Sequence, residues 1–125
     1  MLAAKNAMAT VAVRDLARAK RFYEGTLGLE LVDSQGEEAL AFRSGGSTVL
    51  VYRSQFAGSN KATAATWTLD NDIEQVVQTL KARGVTFEHY DMPGLTLKGD
   101  VHVGGDMKAA WLKDPDGNIL ALVSG

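Results

Sequence analysis

Apolar and polar residues alternate in short runs along this chain, and the runs come in the same order twice. From 8 to 14 the sequence Met8-Ala9-Thr10-Val11-Ala12-Val13-Arg14 reads as a strand. Leu16, Ala19, Phe22 and Tyr23 then fall on one face of a helix over 16–24, while Arg18, Lys20 and Arg21 fall elsewhere. Asp15 precedes that helix, and its carboxylate is suited to accept backbone N–H groups that the first turn leaves free. Gly28 supplies the left-handed residue that ends such a helix. Strands follow over 29–34, 39–43 and 48–53, the last two joined through Ser44-Gly45-Gly46-Ser47, whose glycines permit a tight hairpin.

The second half repeats this order. A strand over 64–70 leads through an acidic cap, Asp70-Asn71-Asp72, into a helix over 73–83 with Ile73, Val76, Val77 and Leu80 as its apolar stripe. Gly84 restarts the chain into a strand over 85–89, and a final hairpin over 108–123 turns at Asp116-Gly117-Asn118. Residues 91–106 depart from the first half. Pro93, Gly94, Gly99, Gly104 and Gly105 interrupt them, which predicts a mobile loop with at most a short strand, placed to close over a ligand. Small polar residues over 54–63 read as a linker between modules at 8–53 and 64–123. One such module leaves a sheet face that it cannot cover alone, so both are expected to share one interior in one domain, 1–125.

Composition narrows the function classes. With 46% hydrophobic residues in 125, the chain has material for a real core. Thirteen basic and fifteen acidic side chains give a net charge of -2, which offers no electrostatic reason to bind nucleic acid or an anionic membrane. The absence of cysteine excludes thiol catalysis, disulfides and thiolate metal sites. No signal-like segment and no apolar run of about 18 residues is present, so a soluble cytoplasmic protein is expected. No Gly-x-Ser-x-Gly elbow accompanies either histidine, and the pairs Gly45-Gly46 and Gly104-Gly105 do not open helices as phosphate loops do.

The repeated strand-helix-strand-strand-strand order, with Val13-Arg14-Asp15-Leu16, Phe22-Tyr23, Leu27-Gly28-Leu29 and Asp114-Pro115-Asp116-Gly117-Asn118, resembles the vicinal oxygen chelate superfamily, which includes glyoxalase I, bleomycin-resistance proteins and extradiol dioxygenases. The resemblance runs from about Met8 to Val123. It implies an α+β fold in which two βαβββ modules form a curved mixed sheet around a cavity, and a homodimer. It also implies metal ligands at the start of each half's first strand and in each half's last strand, which here are Met8, Val51, Ala65 and Ala121. None is a carboxylate or an imidazole. Shifting the register by one residue brings in Ala9, Ala64, Thr66, Leu50, Tyr52, Leu120 and Leu122, which add none. No metal and no cofactor is therefore expected. Histidine occurs only at His89 and His102, and His102 with Asp100 two positions earlier shares a strand face. A metal-dependent lyase, isomerase or dioxygenase would have to draw on His102, Asp100 or Glu38.

The empty ligand positions still describe a pocket. Strand alternation groups Met8, Val51, Ala65 and Ala121 with Thr10, Ala12, Val49, Arg53, Trp67, Leu69, Ile119 and Val123. That face is mostly small and apolar, with Trp67 as its large aromatic and Arg53 as its charge. Phe42, Tyr52, Tyr90 and Trp111 are expected at its rim. The candidate ligand-binding residues are Met8, Thr10, Phe42, Val51, Arg53, Ala65, Trp67, Tyr90, His102, Trp111 and Ala121, and no catalytic residue is assigned. Trp67 either fills the core or borders an open pocket. The expected function is metal-free binding of an apolar or aromatic small molecule in the sheet cavity, with a metal-dependent glyoxalase-like enzyme and a non-catalytic dimeric accessory protein as the alternatives.

Overall fold

The computed structural model describes residues 1–124. After a short 3-10 turn at Leu2–Ala4 comes β1 (Ala9–Val13), which buries Val11 and Val13 and leaves Thr10 exposed, as its alternation requires. Asp15 Oδ1 accepts the amides of Ala17 at 2.9 Å and Arg18 at 3.2 Å, starting α1 (Leu16–Lys20). The helix does not stop at 24. It widens into a π-helical turn over Arg21–Thr26, with the Leu27 amide reaching the Phe22 carbonyl at 2.9 Å. Gly28, at φ +78°, then turns the chain into β2 (Glu30–Gln35), β3 (Ala39–Ser44) and β4 (Ser47–Arg53). These form a 4-stranded sheet in the order β1-β4-β3-β2, with β1 parallel to β4 and the other pairs antiparallel.

The second half supplies β5 (Thr63–Thr68), α2 (Ile73–Ala82), β6 (Phe87–Glu88), β7 (Thr96–Lys98), β8 (Val101–Gly104), β9 (Met107–Lys113) and β10 (Ile119–Ser124). Its 6-stranded sheet runs β5-β10-β9-β8-β7, with β6 also paired to β9. The fold is thus α+β with two mixed sheets and few helices. No helix among the described residues is long and apolar enough to cross a membrane.

Two further local expectations change. Residues 91–106 hold two short strands rather than at most one: β7 and β8 pair as a hairpin turning at Gly99 (φ +64°), and β8 extends the sheet while burying Val101 and His102. Asp72 stands at the N-cap of α2, yet its side chain makes no capping bond. The segment over 54–63 leads from β4 to β5 and is anchored on the way. Ala57 is buried, its carbonyl accepts the Arg14 guanidinium at 3.2 Å, and Gly58 (φ +72°) lies directly against the Asp116 carbonyl.

Both helices cover the same side of the sheets. Val11, Val13, Phe42, Val49 and Val51 pack with Ala19 and Tyr23 in one cluster with Leu112, Leu120, Leu122, Ile73, Val77 and Leu80. The Asp114–Asn118 turn fastens the halves at this seam: Asn118 Nδ2 donates to the Ala12 carbonyl at 2.7 Å, and Arg18 meets Asp116 at 2.9 Å.

Candidate functional site

Strand pairing decides which side chains share a face. In the parallel register of β1 and β4, Val11 lies opposite Val51, Thr10 opposite Leu50 and Ala12 opposite Tyr52. Directly paired residues point to the same side, so Val51 joins Val11 under the helices while Met8, Thr10 and Ala12 fall in phase on the other, helix-free face. In the second sheet Ala65 opposes Leu120 and Trp67 opposes Leu122, both beneath α2, whereas Ala121 opposes Thr66 and Trp111 on the helix-free face.

The single ligand-lining face expected from alternation therefore divides. Met8, Thr10, Trp111 and Ala121 belong to the helix-free side, together with His102 and Tyr90, which pack on Trp111. Phe42, Val51 and Ala65 are buried on the helix-covered side, and Trp67 is half-buried there. Arg53 ends β4 exposed, in an ion pair with Glu38 at 3.0 Å. Alternation orders side chains within one strand, but the phase between strands comes from pairing, and a one-residue change inverts a strand's faces. Leu50, Tyr52, Thr66 and Ala109 also lie on the helix-free face, as their cross-strand partners dictate.

The donor set does not fit a divalent metal. Met8, Val51, Ala65 and Ala121 carry no nitrogen or oxygen donor in their side chains, and Val51 and Ala65 point into the helix-covered core. Among the described residues no group of three or more His, Cys, Asp or Glu is placed to hold a metal. Asp100 does not join His102. Its carboxylate is taken by Lys81 Nζ at 2.7 Å and His89 Nε2 at 2.8 Å, and those hydrogen bonds, Lys81's first, hold it below the usual carboxylate range.

What the helix-free face does hold is an aromatic and imidazole cluster. The His102 ring stands edge-on to Trp111, centroids 4.9 Å apart at 80°, and Tyr90 meets Trp111 at 5.3 Å and 73°. His102 is 1% exposed. Its Nε2 accepts the Tyr90 amide at 3.0 Å, so the proton of the neutral ring belongs on Nδ1. That Nδ1 and the Tyr90 hydroxyl are both buried and have no hydrogen-bond partner. Burial, ahead of the nearby Glu88 charge, raises the Tyr90 pKa, so the phenol keeps its proton at neutral pH. Two polar groups thus lie unpartnered in the cluster around Trp111.

The sequence matches the family described as the Glyoxalase/Bleomycin resistance protein/Dioxygenase superfamily over residues 6–122. A comparison with curated proteins finds no match. Among solved structures the chain is similar to the fosfomycin resistance protein FosX from Listeria monocytogenes, with 16% identity and a TM-score of 0.73 over 96% of this chain and 92% of that one. It is also similar to a glyoxalase/bleomycin resistance protein/dioxygenase from Alicyclobacillus acidocaldarius, at 18% identity and TM-score 0.72 over 94% and 89%. Lactoylglutathione lyase from Agrobacterium tumefaciens follows the same fold, at 18% identity and TM-score 0.68 over 96% and 92%.

Proposed function

The chain belongs to the Glyoxalase/Bleomycin resistance protein/Dioxygenase superfamily, and we propose that within it this protein binds, without a metal, a small flat molecule carrying a hydrogen-bond acceptor, held on the helix-free face at Tyr90, His102 and Trp111. The observation that carries this reading is the pair of buried, unpartnered polar atoms, His102 Nδ1 and Tyr90 Oη, next to the Trp111 ring. A buried donor without a partner costs about 1–3 kcal/mol, and an acceptor on a molecule admitted by a shift of the half-buried Tyr90 and Trp111 side chains removes that cost. Trp111 offers a ring to stack on. Ala109 and Ala121, paired beside it, keep the floor low. The similar structures include a fosfomycin resistance protein and lactoylglutathione lyase, both named for small molecules, which supports a small-molecule ligand.

The same face favours a second copy of the chain as the opposite wall. Met8 at 52% and Tyr52 at 39% exposure lie in phase with Thr10 and Ala12 on a sheet face that no helix covers. A two-fold homodimer is the expected assembly, and a monomer by light scattering at micromolar concentration counts against it.

Benzoate serves as the probe, since it is flat and carries acceptors. In a Trp67→Phe background Trp111 is the one tryptophan, and selective tryptophan excitation reports it alone. Saturable quenching by benzoate, weakened tenfold or more by His102→Phe, supports the site. No saturation up to about 10 mM, or an unchanged affinity in His102→Phe, rejects it.

A further inference from the structure

Strand β10 walls two different spaces. Ala121 points to the helix-free face, but Leu120 and Leu122 on either side of it point the other way, into a cavity of about 210 Å³ beneath α2. We propose that this cavity is a second ligand site, separate from the helix-free face, and that it takes an uncharged monocyclic or small bicyclic apolar molecule.

Its lining comes from both halves of the chain. Leu27, Leu29 and Ser44 close it from the first half, and Trp67, Leu69, Val76, Leu80 and Leu112 join the two β10 leucines from the second. No ionisable side chain is among them. Such a surface offers nothing to a charge and would strip its hydration, so a charged molecule is excluded. An apolar molecule replaces contacts that the surrounding leucines otherwise lack.

Size sets the upper limit. Apolar cavities of about 150 Å³ accept benzene, and this one, at about 210 Å³, admits a ring with a substituent or a second fused ring. Polarity is confined to a single corner, where the Trp67 indole N–H donates to Ser44 Oγ at 2.8 Å. That bond fixes the indole plane as a wall of the cavity and satisfies the ring's only donor. Ser44 retains its own hydroxyl proton, which can meet one acceptor on the ligand. Trp67 and Val76 are half-buried, so the cavity reaches the surface between α2 and the end of β3.

Because the walls belong to different halves, occupancy ties the halves together. A bound molecule should raise the melting temperature with its concentration, as any ligand specific to the folded state does.

Toluene is the probe, and benzoate is the charged control. In ¹⁵N-labelled Trp111→Phe protein the one indole N–H cross-peak belongs to Trp67. Toluene should shift that peak saturably below about 1 mM and raise the melting temperature, while benzoate leaves the peak in place. Val76→Phe, which projects a ring into the cavity, should weaken toluene binding tenfold or more without lowering the melting temperature. Leu29→Phe tests the same filling from the opposite wall should the first variant fail to fold. A Trp67 peak that toluene does not move, or toluene binding that survives in a folded filled variant, overturns the proposal. Failure of benzoate to bind at Trp111 leaves this result unaffected, so the two sites stand or fall separately.

Discussion

Tyr23 donates its hydroxyl to Asp114 Oδ2 at 2.7 Å, joining the π-helical turn after α1 to the turn between β9 and β10. Both residues are buried. Asp114 is otherwise committed to its own turn, accepting the amides of Asp116 and Asn118 at 2.9 Å each and Asn118 Nδ2 at 2.8 Å. The tyrosine is therefore the one partner that reaches this carboxylate from the first half. Hydrogen bonds to charged groups contribute about 1.5–3 kcal/mol, so Tyr23→Phe should lower the urea unfolding free energy by that amount with little change in m-value. A loss below about 0.5 kcal/mol would show that the seam is held elsewhere.

The same pair predicts an alkaline limit. Burial, then the charge of Asp114 and the hydrogen bond to it, push the Tyr23 phenol above the ordinary tyrosine range. In the unfolded chain it ionises near pH 10, while in the folded protein it keeps its proton. Above about pH 10 the unfolded state thus binds fewer protons than the native one, and stability falls as pH rises. The Tyr23 contribution is fully present below that pH. Chemical unfolding measured between pH 8 and about pH 11 should show a downward slope that Tyr23→Phe reduces; equal slopes in both proteins would remove Tyr23 as its source.

The pieces of this seam are visible in the sequence, but their meeting is not. Phe22-Tyr23 and Asp114-Pro115-Asp116-Gly117-Asn118 stand out as motifs, and the elements around them follow from alternation, helical spacing, the Asp15 cap and Gly28. The Tyr23–Asp114 bond spans 91 positions and depends on the π-helical turn, which no local preference of these residues announces. The site shows the same divide. Trp67, Trp111, Tyr90 and His102 are readable as unusual residues, yet Trp67 lies beneath α2 and the others on the opposite face, because strand pairing, not alternation, fixes the phase between strands. The cavity beside Trp67 has no signature of its own, since its leucines belong to ordinary core stripes until two elements from different halves fail to close over them.

Gly58 carries a constraint that its polar surroundings conceal. It sits at φ +72°, and a Cβ there would collide with the Asp116 carbonyl, part of a turn already fixed by Asp114. Backbone strain and a clash with backbone act together, so Gly58→Ala should cost about 2–4 kcal/mol. Gly36 provides the comparison, since at φ +59° a methyl group added there would meet nothing within 4 Å, and Gly36→Ala should cost only the conformational part, about 1 kcal/mol. Equal thermal shifts in the two variants would refute the close packing of residues 54–58 on the Asp116 turn.

Metal content separates the binding reading from the metal-dependent enzymes that share the fold. Beside Trp111 the helix-free face carries His102 and Glu88, the latter ion-paired with Lys113 at 3.5 Å, and Asp100 is already bonded to Lys81 and His89. A divalent ion held by oxygen and nitrogen needs several such groups converging on one point. His102 offers one nitrogen at most, because its Nε2 is engaged by the Tyr90 amide. Protein purified without chelator and then dialysed should hold well under one equivalent of zinc, nickel, iron or manganese by elemental analysis. EDTA should leave its melting temperature unchanged, since no folding energy is drawn from an ion. Near-stoichiometric metal that is lost in His102→Ala would overturn the metal-independent reading and place the ion on the helix-free face.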